Sequence, residues 1–404
     1  MAANIKKRSS EHVETYYSTD TIHESSVFEE EKRLSPWQAF KAFPRIVILS
    51  LAACSAGMMF GYDQIVNGAS ISLPSFILYF GAISPTTHEP YLPSIWTSLW
   101  TAMSALMQAV GGLAIAPISD RFGRKWTAVA CCFLSAGGVA IQFASTSRGM
   151  LLAGKMVNGT AIGAALAVAT AWASEIAPVC LRGPIQSAIV LWTVLLQALG
   201  LVVLRQNVSN IEESAFRLTF AIQWAFCALT AILFALVPES PTWFILKDKM
   251  AKAKKSIERL YGKSDTLDAR FDHIQRQVQG KFGSEQASGV GGYLELYRGS
   301  NFKRTMTVHL VFFGIGLAGS SFLAQSTYFL IISGFPTLHT FDVSIGGFAL
   351  ALITIVLSWV YIERAGRRTL WLIGCVVNAV VMAVIGGLYY AHSRSALWAV
   401  GILM

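Results

Sequence analysis

The chain has 404 residues, of which 54% are hydrophobic and only 14% charged, with a formal net charge of +9 and a mean hydropathy of +0.51. Soluble domains carry about 25% charged residues, and a single soluble core stops growing well before this length. These figures exclude a soluble enzyme, a disordered protein and a nucleic-acid-binding domain, and leave an all-α integral membrane protein.

Residues 1–44 are polar and carry both signs of charge, with no cleavable-signal pattern, and read as a disordered cytoplasmic tail. A helix needs about 20 apolar residues to cross a bilayer core. Stretches that qualify are 46–66, 95–118, 126–146, 150–173, 185–204 and 218–237, giving a six-helix bundle over 45–237. Residues 238–304 form a charged linker in which Ile257 and Leu260 recur at helical spacing, so short cytoplasmic helices are expected there. Further spans are expected at 306–333, 344–362 and 370–391, in a second bundle covering 305–404.

Lys and Arg placement orients the spans. With the N-terminus inside, 27 of the 32 basic residues fall on the inner side, and only Arg148, Arg205, Arg217 and Arg394 on the outer side. The remaining one, Lys155, lies within a span. The charge surplus thus follows from topology and implies a lipid bilayer, with no nucleic-acid partner. This orientation puts the sequon at Asn207 outside, as a glycosylation candidate, whereas the sequon at Asn158 lies in a span and is discounted. The six cysteines sit in or beside apolar runs without metal-ligand spacing, so neither metal nor cofactor is expected. No His/Asp/Glu cluster has catalytic spacing, and no Walker motif is present.

The inner loop after the second span reads Asp120-Arg-Phe-Gly-Arg-Lys125, and the one after the eighth reads Glu363-Arg-Ala-Gly-Arg-Arg368. One copy is what any basic inner turn gives; two copies at equivalent places signal a duplicated transporter plan. That plan implies about twelve spans. The tenth span here starts at Ala396 and reaches Met404 after nine residues, so against the repeat the chain reads as C-terminally truncated and the second bundle as incomplete.

Together with Glu175–Arg182 in SEIAPVCLRG, Pro238-Glu-Ser-Pro-Thr-Trp243 and Phe60-Gly-Tyr-Asp63, these motifs resemble the sugar porters of the major facilitator superfamily. Phe220–Trp224, Ser326–Phe329 and Ala173–Glu175 look most like the fungal maltose permease branch, which comprises α-glucoside–proton symporters. The resemblance implies a major facilitator-type helical bundle that transports a sugar by alternating access with a proton as coupling ion. It also implies an inner-gate charge network of Asp120, Arg121, Arg124, Glu175, Arg182, Glu239, Glu363 and Arg367, with Gly123 and Gly366 permitting the tight turns.

Asp63 is the expected proton carrier, because a carboxylate inside a span costs about 2.5–3.5 kcal/mol on insertion scales and so faces a cavity or a partner. Lys155, the only cation at membrane depth, is its expected counter-ion; a purely structural ion pair is the plainer alternative. Gln197, Gln325 and Tyr328 are the candidate sugar-binding residues. The resemblance favours an α-glucoside through Gln197, since hexose carriers place their glutamine seven residues earlier, at Val190 here. The chain departs from the family at Ala116 (usually glycine), Gln108 (a carboxylate in maltose permeases) and Gly314–Leu323, which lacks the usual amides. A sugar sensor without flux and a non-functional transporter remnant therefore stand as alternatives. A monomer in the plasma membrane is expected.

Overall fold

The computed structural model describes residues 36–85, 88, 90–178, 180–262, 267–282, 293–294, 296–317, 326–332, 334–388 and 399–400. Eight described helices are long and apolar enough to cross a membrane, and one falls on every expected span except that at 306–333. The chain is a multi-pass bundle.

After a short helix α1 (Pro36–Ala42), the first span is built from α2 (Pro44–Ala53) and α3 (Ala56–Ala69). The turn at Cys54–Ser55 does not leave backbone groups bare, because Thr230 Oγ1 donates to the Ser55 carbonyl at 3.2 Å. This is how a membrane helix tolerates a break. At the end of the bundle away from the linker, called the outer end after the expected orientation, α4 (Pro74–Phe80) and the two-stranded β1 (Ala82–Ile83) and β2 (Pro90–Tyr91), paired antiparallel with Ala82 opposite Tyr91, cap the bundle. Arg148 holds this cap: its Nε donates to the Phe80 carbonyl and its Nη2 to the Gly81 carbonyl, each at 2.7 Å.

The remaining spans of the first bundle are α5 (Ser94–Phe122), α6 (Arg124–Phe143), α7 (Arg148–Ile176), α8 (Arg182–Asn207) and α9 (Glu213–Leu236). Ser147 caps α7 by accepting from the Met150 N–H at 3.2 Å. α5 and α7 approach closely because Gly111 lies against the Thr160 backbone and Gly163 against the Gln108 backbone; a Cβ at either would collide with main chain. Two apolar cores fill the bundle, an inner one around Trp172, Ile185 and Phe234, and an outer one around Tyr62, Phe76, Trp100, Phe216 and Phe220.

The linker folds into α10 (Pro241–Leu246), α11 (Met250–Tyr261) and α12 (Leu267–Phe282), which bury Ile245, Ile257 and Phe271 among themselves. Short helices are thus present in the linker. Within the seventh expected span the described residues form α13 (Gly299–Ile315), a π turn at 316–317 and α14 (Ser326–Ile332); residues 318–325 lie outside the described set. α15 (Thr337–Ala365) and α16 (Arg367–Leu388) follow. α15 packs along α8 and so joins the two bundles, from Arg205–Asp342 near the outer end to Trp359 Nε1 donating to Ser187 Oγ at 2.6 Å near the inner end. Phe341 of α15 completes the outer core.

Candidate functional site

Asp63 sits midway along α3, and Lys155 in α7; both side chains are 1% exposed. A carboxylate and an ammonium at this depth need partners, and amides supply most of them. Asn158 Nδ2 donates to Asp63 Oδ1 at 2.7 Å, and Asn67 Nδ2 donates to Asp63 Oδ2 at 2.8 Å. Lys155 Nζ donates to Asn67 Oδ1. The two charges are therefore linked through one amide, and among the described residues no direct ion pair joins them. The expected direct pairing of Asp63 with Lys155 is thus replaced by a contact through Asn67, whose Oδ1 accepts from the ammonium while its Nδ2 donates to the carboxylate.

A second layer fixes the amides. Asn158 Nδ2 also donates to Gln223 Oε1 at 3.1 Å, and Ser135 Oγ donates to Asn158 Oδ1 at 2.6 Å. Cys227 Sγ donates to Ser135 Oγ at 3.4 Å, and Asn67 Nδ2 leans on Ser104 Oγ at 3.5 Å. Gln223 Nε2 is buried with no partner among the described residues. The cluster thus draws on α3, α5, α6, α7 and α9, and it is buried. In chemical terms it holds one carboxylate with an amide N–H on each oxygen, and one ammonium that shares an amide with it. Proton gain at the carboxylate would weaken these charge-assisted contacts, which reach it from its own helix and from α7.

Asn67, Asn158, Ser135 and Gln223 were not among the expected site residues. Their signal is spacing: Asn67 lies four residues after Asp63 and Asn158 three after Lys155, each on the same helix face as its charge.

The second cluster lies at the inner end. Arg124 opens α6 and spreads its guanidinium over three acceptors. Nη2 reaches Asp120 Oδ1 at 2.9 Å and Glu175 Oε1 at 3.1 Å, while Nη1 donates to the Ser119 carbonyl at 3.2 Å. Ser240 Oγ donates to the other Glu175 oxygen. Glu239 caps α6: its Oε1 accepts from the Arg124 N–H at 2.9 Å, and its Oε2 from the Lys125 N–H at 3.2 Å. A carboxylate at a helix N-terminus satisfies unpaired N–H groups and meets the positive end of the dipole. Burial pushes the Glu239 carboxyl above its ordinary range, against the pull of the Ser240, Arg124 and Lys125 N–H donors. Trp243 Nε1 donates to the Asp120 carbonyl at 3.0 Å and ties the linker to the same loop.

Gly123 (φ +95°) and Gly366 (φ +76°) both occupy backbone that disfavours side chains, as expected for the repeated turn. Asp120, Arg124, Glu175 and Glu239 are brought together; all belong to the first bundle and the start of the linker. Arg121 is exposed, with its guanidinium 5.6 Å from the Phe122 ring, and Arg182 is exposed at the start of α8; neither joins the cluster. The side chains of Glu363 and Arg367, and the whole of Gln325, lie outside the described residues. Gln197 is half-buried on α8, the helix that packs along α15, and makes no hydrogen bond among the described residues. Tyr328 on α14 packs against the outer core. Asn207 ends α8, its amide turned back onto the Val203 carbonyl at 2.8 Å. All six cysteines are free thiols.

Comparison with known proteins agrees with this architecture. The chain is 37% identical over 406 residues to the MFS transporter fmqE of Aspergillus fumigatus, covering 98% of this chain and 76% of that protein. It is 28% identical over 386 residues to a general alpha-glucoside permease of Saccharomyces cerevisiae, and 27% over 384 residues to the maltose permease MAL61 of the same yeast. Those alignments cover 94% and 93% of this chain but only 62% of each permease, so the chain spans less than two thirds of their length. Among solved structures, the partially occluded inward-open xylose transporter XylE of E. coli superposes with a TM-score of 0.69 at 19% identity, covering 89% of this chain and 82% of that one. The proton:xylose symporter XylE bound to 6-bromo-6-deoxy-D-glucose gives 0.70 at 20% identity, covering 89% and 78%. This likeness is one of fold, a major facilitator-type bundle. The family model described as "Sugar (and other) transporter" matches residues 49–404, nearly all of the membrane-spanning region, and the chain accordingly belongs to that family.

Proposed function

We propose that the protein carries a sugar across the membrane by alternating access, driven by protons through Asp63, with an α-glucoside such as maltose as the favoured substrate. The observation that carries the reading is the buried Asp63–Asn67–Lys155 chain, with Asn158 on the second carboxylate oxygen. A titratable group at mid-membrane, held by amides from neighbouring helices, converts a proton into a change of helix contacts. The yeast α-glucoside and maltose permeases and the proton:xylose symporter among the similar proteins support the substrate class and the coupling ion. Gln197, at the junction of the two bundles, is the residue assigned to the sugar hydroxyls, with Tyr328 offering an aromatic face. The Arg124 network acts as the inner gate. The N-terminus is cytoplasmic, the membrane is the plasma membrane, and one copy suffices.

Labelled maltose uptake in a yeast lacking its own maltose carriers, at pH 5 and pH 7, tests this. Accumulation should be greater at pH 5 and should vanish in Asp63→Asn while exchange across the membrane persists. No uptake at either pH, with the protein at the cell surface, overturns the transport reading. Uptake indifferent to Asp63→Asn overturns only the coupling.

A second reading, a sugar sensor without flux, is favoured by Gly314–Leu323, which carries no amide where sugar porters bind substrate, and by Gln108, which cannot titrate. It requires sugar binding to the purified protein without accumulation in cells.

A further inference from the structure

The linker brings cations to the ends of two spans. α11 buries Leu260 in the inner core of the first bundle and Ala253 and Ile257 against α10 and α12. Ser256 Oγ donates to the Glu239 carbonyl at 2.5 Å, and Tyr261 OH to the Ile176 carbonyl at 3.4 Å. The helix is thus fixed on two sides, and its remaining face carries Lys255 and Arg259, one turn apart. Across from them stands Arg45, the second residue of the first span, its guanidinium against Gly262. The cleft between has a volume of about 720 Å³, within the range of small-ligand sites.

Its chemistry is split. Arg45, Lys255 and Arg259 face a single carboxylate, Glu258, and none of the three cations has a hydrogen-bond or ion-pair partner among the described residues. Lys125 adds positive charge beside Arg259. The other wall is Leu49, one turn into the first span, and Leu236, the last residue of α9, which is 65% exposed. The cleft therefore straddles the level where two membrane helices end, cationic toward the water and apolar toward the hydrocarbon. A soluble anion has no use for the apolar wall, and the acidic run Glu29–Glu31 of the chain's own tail brings charge without acyl chains.

We infer that this cleft binds the phosphate headgroup of an anionic phospholipid, with the acyl chains lying along Leu49 and Leu236. Basic pockets at the cytoplasmic ends of spans have this preference in general. Because α11 is hydrogen-bonded to the backbone of Glu239, a bound lipid would also pin the linker against the inner charge network. The leaflet concerned rests on the orientation proposed above; the site itself does not.

The test uses the full chain in nanodiscs of phosphatidylcholine with a minor share of phosphatidylserine, counting lipids retained after extraction by native mass spectrometry. One phosphatidylserine per chain should be retained. Each of Arg45→Gln, Lys255→Gln and Arg259→Gln should weaken retention about fivefold, and the triple variant about a hundredfold, while Lys254→Gln, on the side of α11 that meets Asp268 of α12, leaves it unchanged. Should the triple variant misfold, the three single variants and a loss of wild-type retention at high salt carry the same test. Equal retention of phosphatidylserine and phosphatidylcholine overturns the proposal, as does equal retention by wild type and variants. Thermal protection by inorganic phosphate matching that by phosphatidylserine assigns the cleft to a soluble anion and also overturns it. Capture of the Glu29–Glu31 segment by a cross-linker at Lys255→Cys, with lipid retention unchanged by the substitutions, assigns it to the tail. Both leaflets of a nanodisc have the same composition, so an inverted topology moves the lipid without abolishing binding, and labelling of the linker in intact cells decides topology separately.

Discussion

Replacing Asp63 by asparagine keeps shape and removes charge, and the geometry of the cluster sets the cost. Both carboxylate oxygens accept from amide N–H groups, at 2.7 Å from Asn158 and 2.8 Å from Asn67. An asparagine there presents one N–H₂ to a donor, so one of these charge-assisted bonds is lost, at about 1.5–3 kcal/mol. Lys155, 1% exposed, is then a buried charge that, among the described residues, only Asn67 Oδ1 holds. Removing one partner of a buried pair costs about 3–5 kcal/mol, whereas replacing the whole pair by apolar groups is often neutral. Asp63→Asn alone should therefore destabilise by about 3–5 kcal/mol, and adding Lys155→Met should recover most of the loss. The assay is a double-mutant cycle on apparent unfolding temperature in detergent, with the expected order wild type, then double variant, then either single variant. A double variant as unstable as the sum of the two singles would mean that the charges are independent, and the linked Asp63–Asn67–Lys155 chain would be wrong.

The inner network and the interbundle joint give three further tests. Gly123→Ala places a Cβ 3.0 Å from the Glu239 carboxyl carbon at φ +95°, ψ 161°, a region open almost only to glycine. It should cost about 1–3 kcal/mol from backbone strain alone, read as a lower unfolding temperature. Glu239 has a carboxyl raised by burial, so its stabilisation is present below the unfolded value near 4.5 and is lost as pH rises through the raised one. The unfolding temperature of wild type minus that of Glu239→Gln should thus fall as pH climbs from 4.5; a flat difference would sink the burial argument. At the outer end, Arg205 and Asp342 pair across the two bundles while roughly two-fifths exposed, so solvent and salt screen the pair. Asp342→Arg should raise labelling of a thiol introduced as Val202→Cys in α8, Arg205→Asp with Asp342→Arg should restore the wild-type level, and high salt should erase the difference.

Spans were legible because apolar length decides membrane crossing: each of the first six expected stretches falls on a described helix. Their ends were less so. The first span runs from Pro44 to Ser72, beyond the expected 46–66, because Asn67, Ser70 and Ser72 are buried by neighbouring helices, and hydropathy alone counts them as polar. In the seventh, the α-helix gives way to a π turn at 316–317, beside Gly314 and Gly316. Asp63, Lys155, Asp120, Arg124, Glu175 and Glu239 announced themselves as charges at depth or in a repeated motif. The amides that hold them did not, since Asn67, Asn158 and Gln223 are uncharged and look like tolerated polar residues until the helices are assembled. Arg121 and Arg182 show the converse: a motif position can be occupied by the right residue and still point to solvent.

The way polar contacts are distributed bears on mechanism. Within the first bundle, the Asp63 cluster joins α3, α5, α6, α7 and α9, and the Arg124 cluster fastens α5, α6, α7 and the linker. Between the bundles, the described polar contacts are few: Arg205 with Asp342, and Trp359 with Ser187. A transporter that rocks one bundle against the other needs that asymmetry, because the moving part must be stiff and the joint must be nearly balanced. A coupling event can shift a two-state equilibrium only by its differential free energy, and moving it from one extreme to the other takes about 5.5 kcal/mol. Exposed interbundle pairs supply a fraction of that. Under the proposed reading the coupling event is protonation of Asp63, a buried group whose oxygens accept from Asn67 and Asn158, and a change of charge at such depth is of the required order.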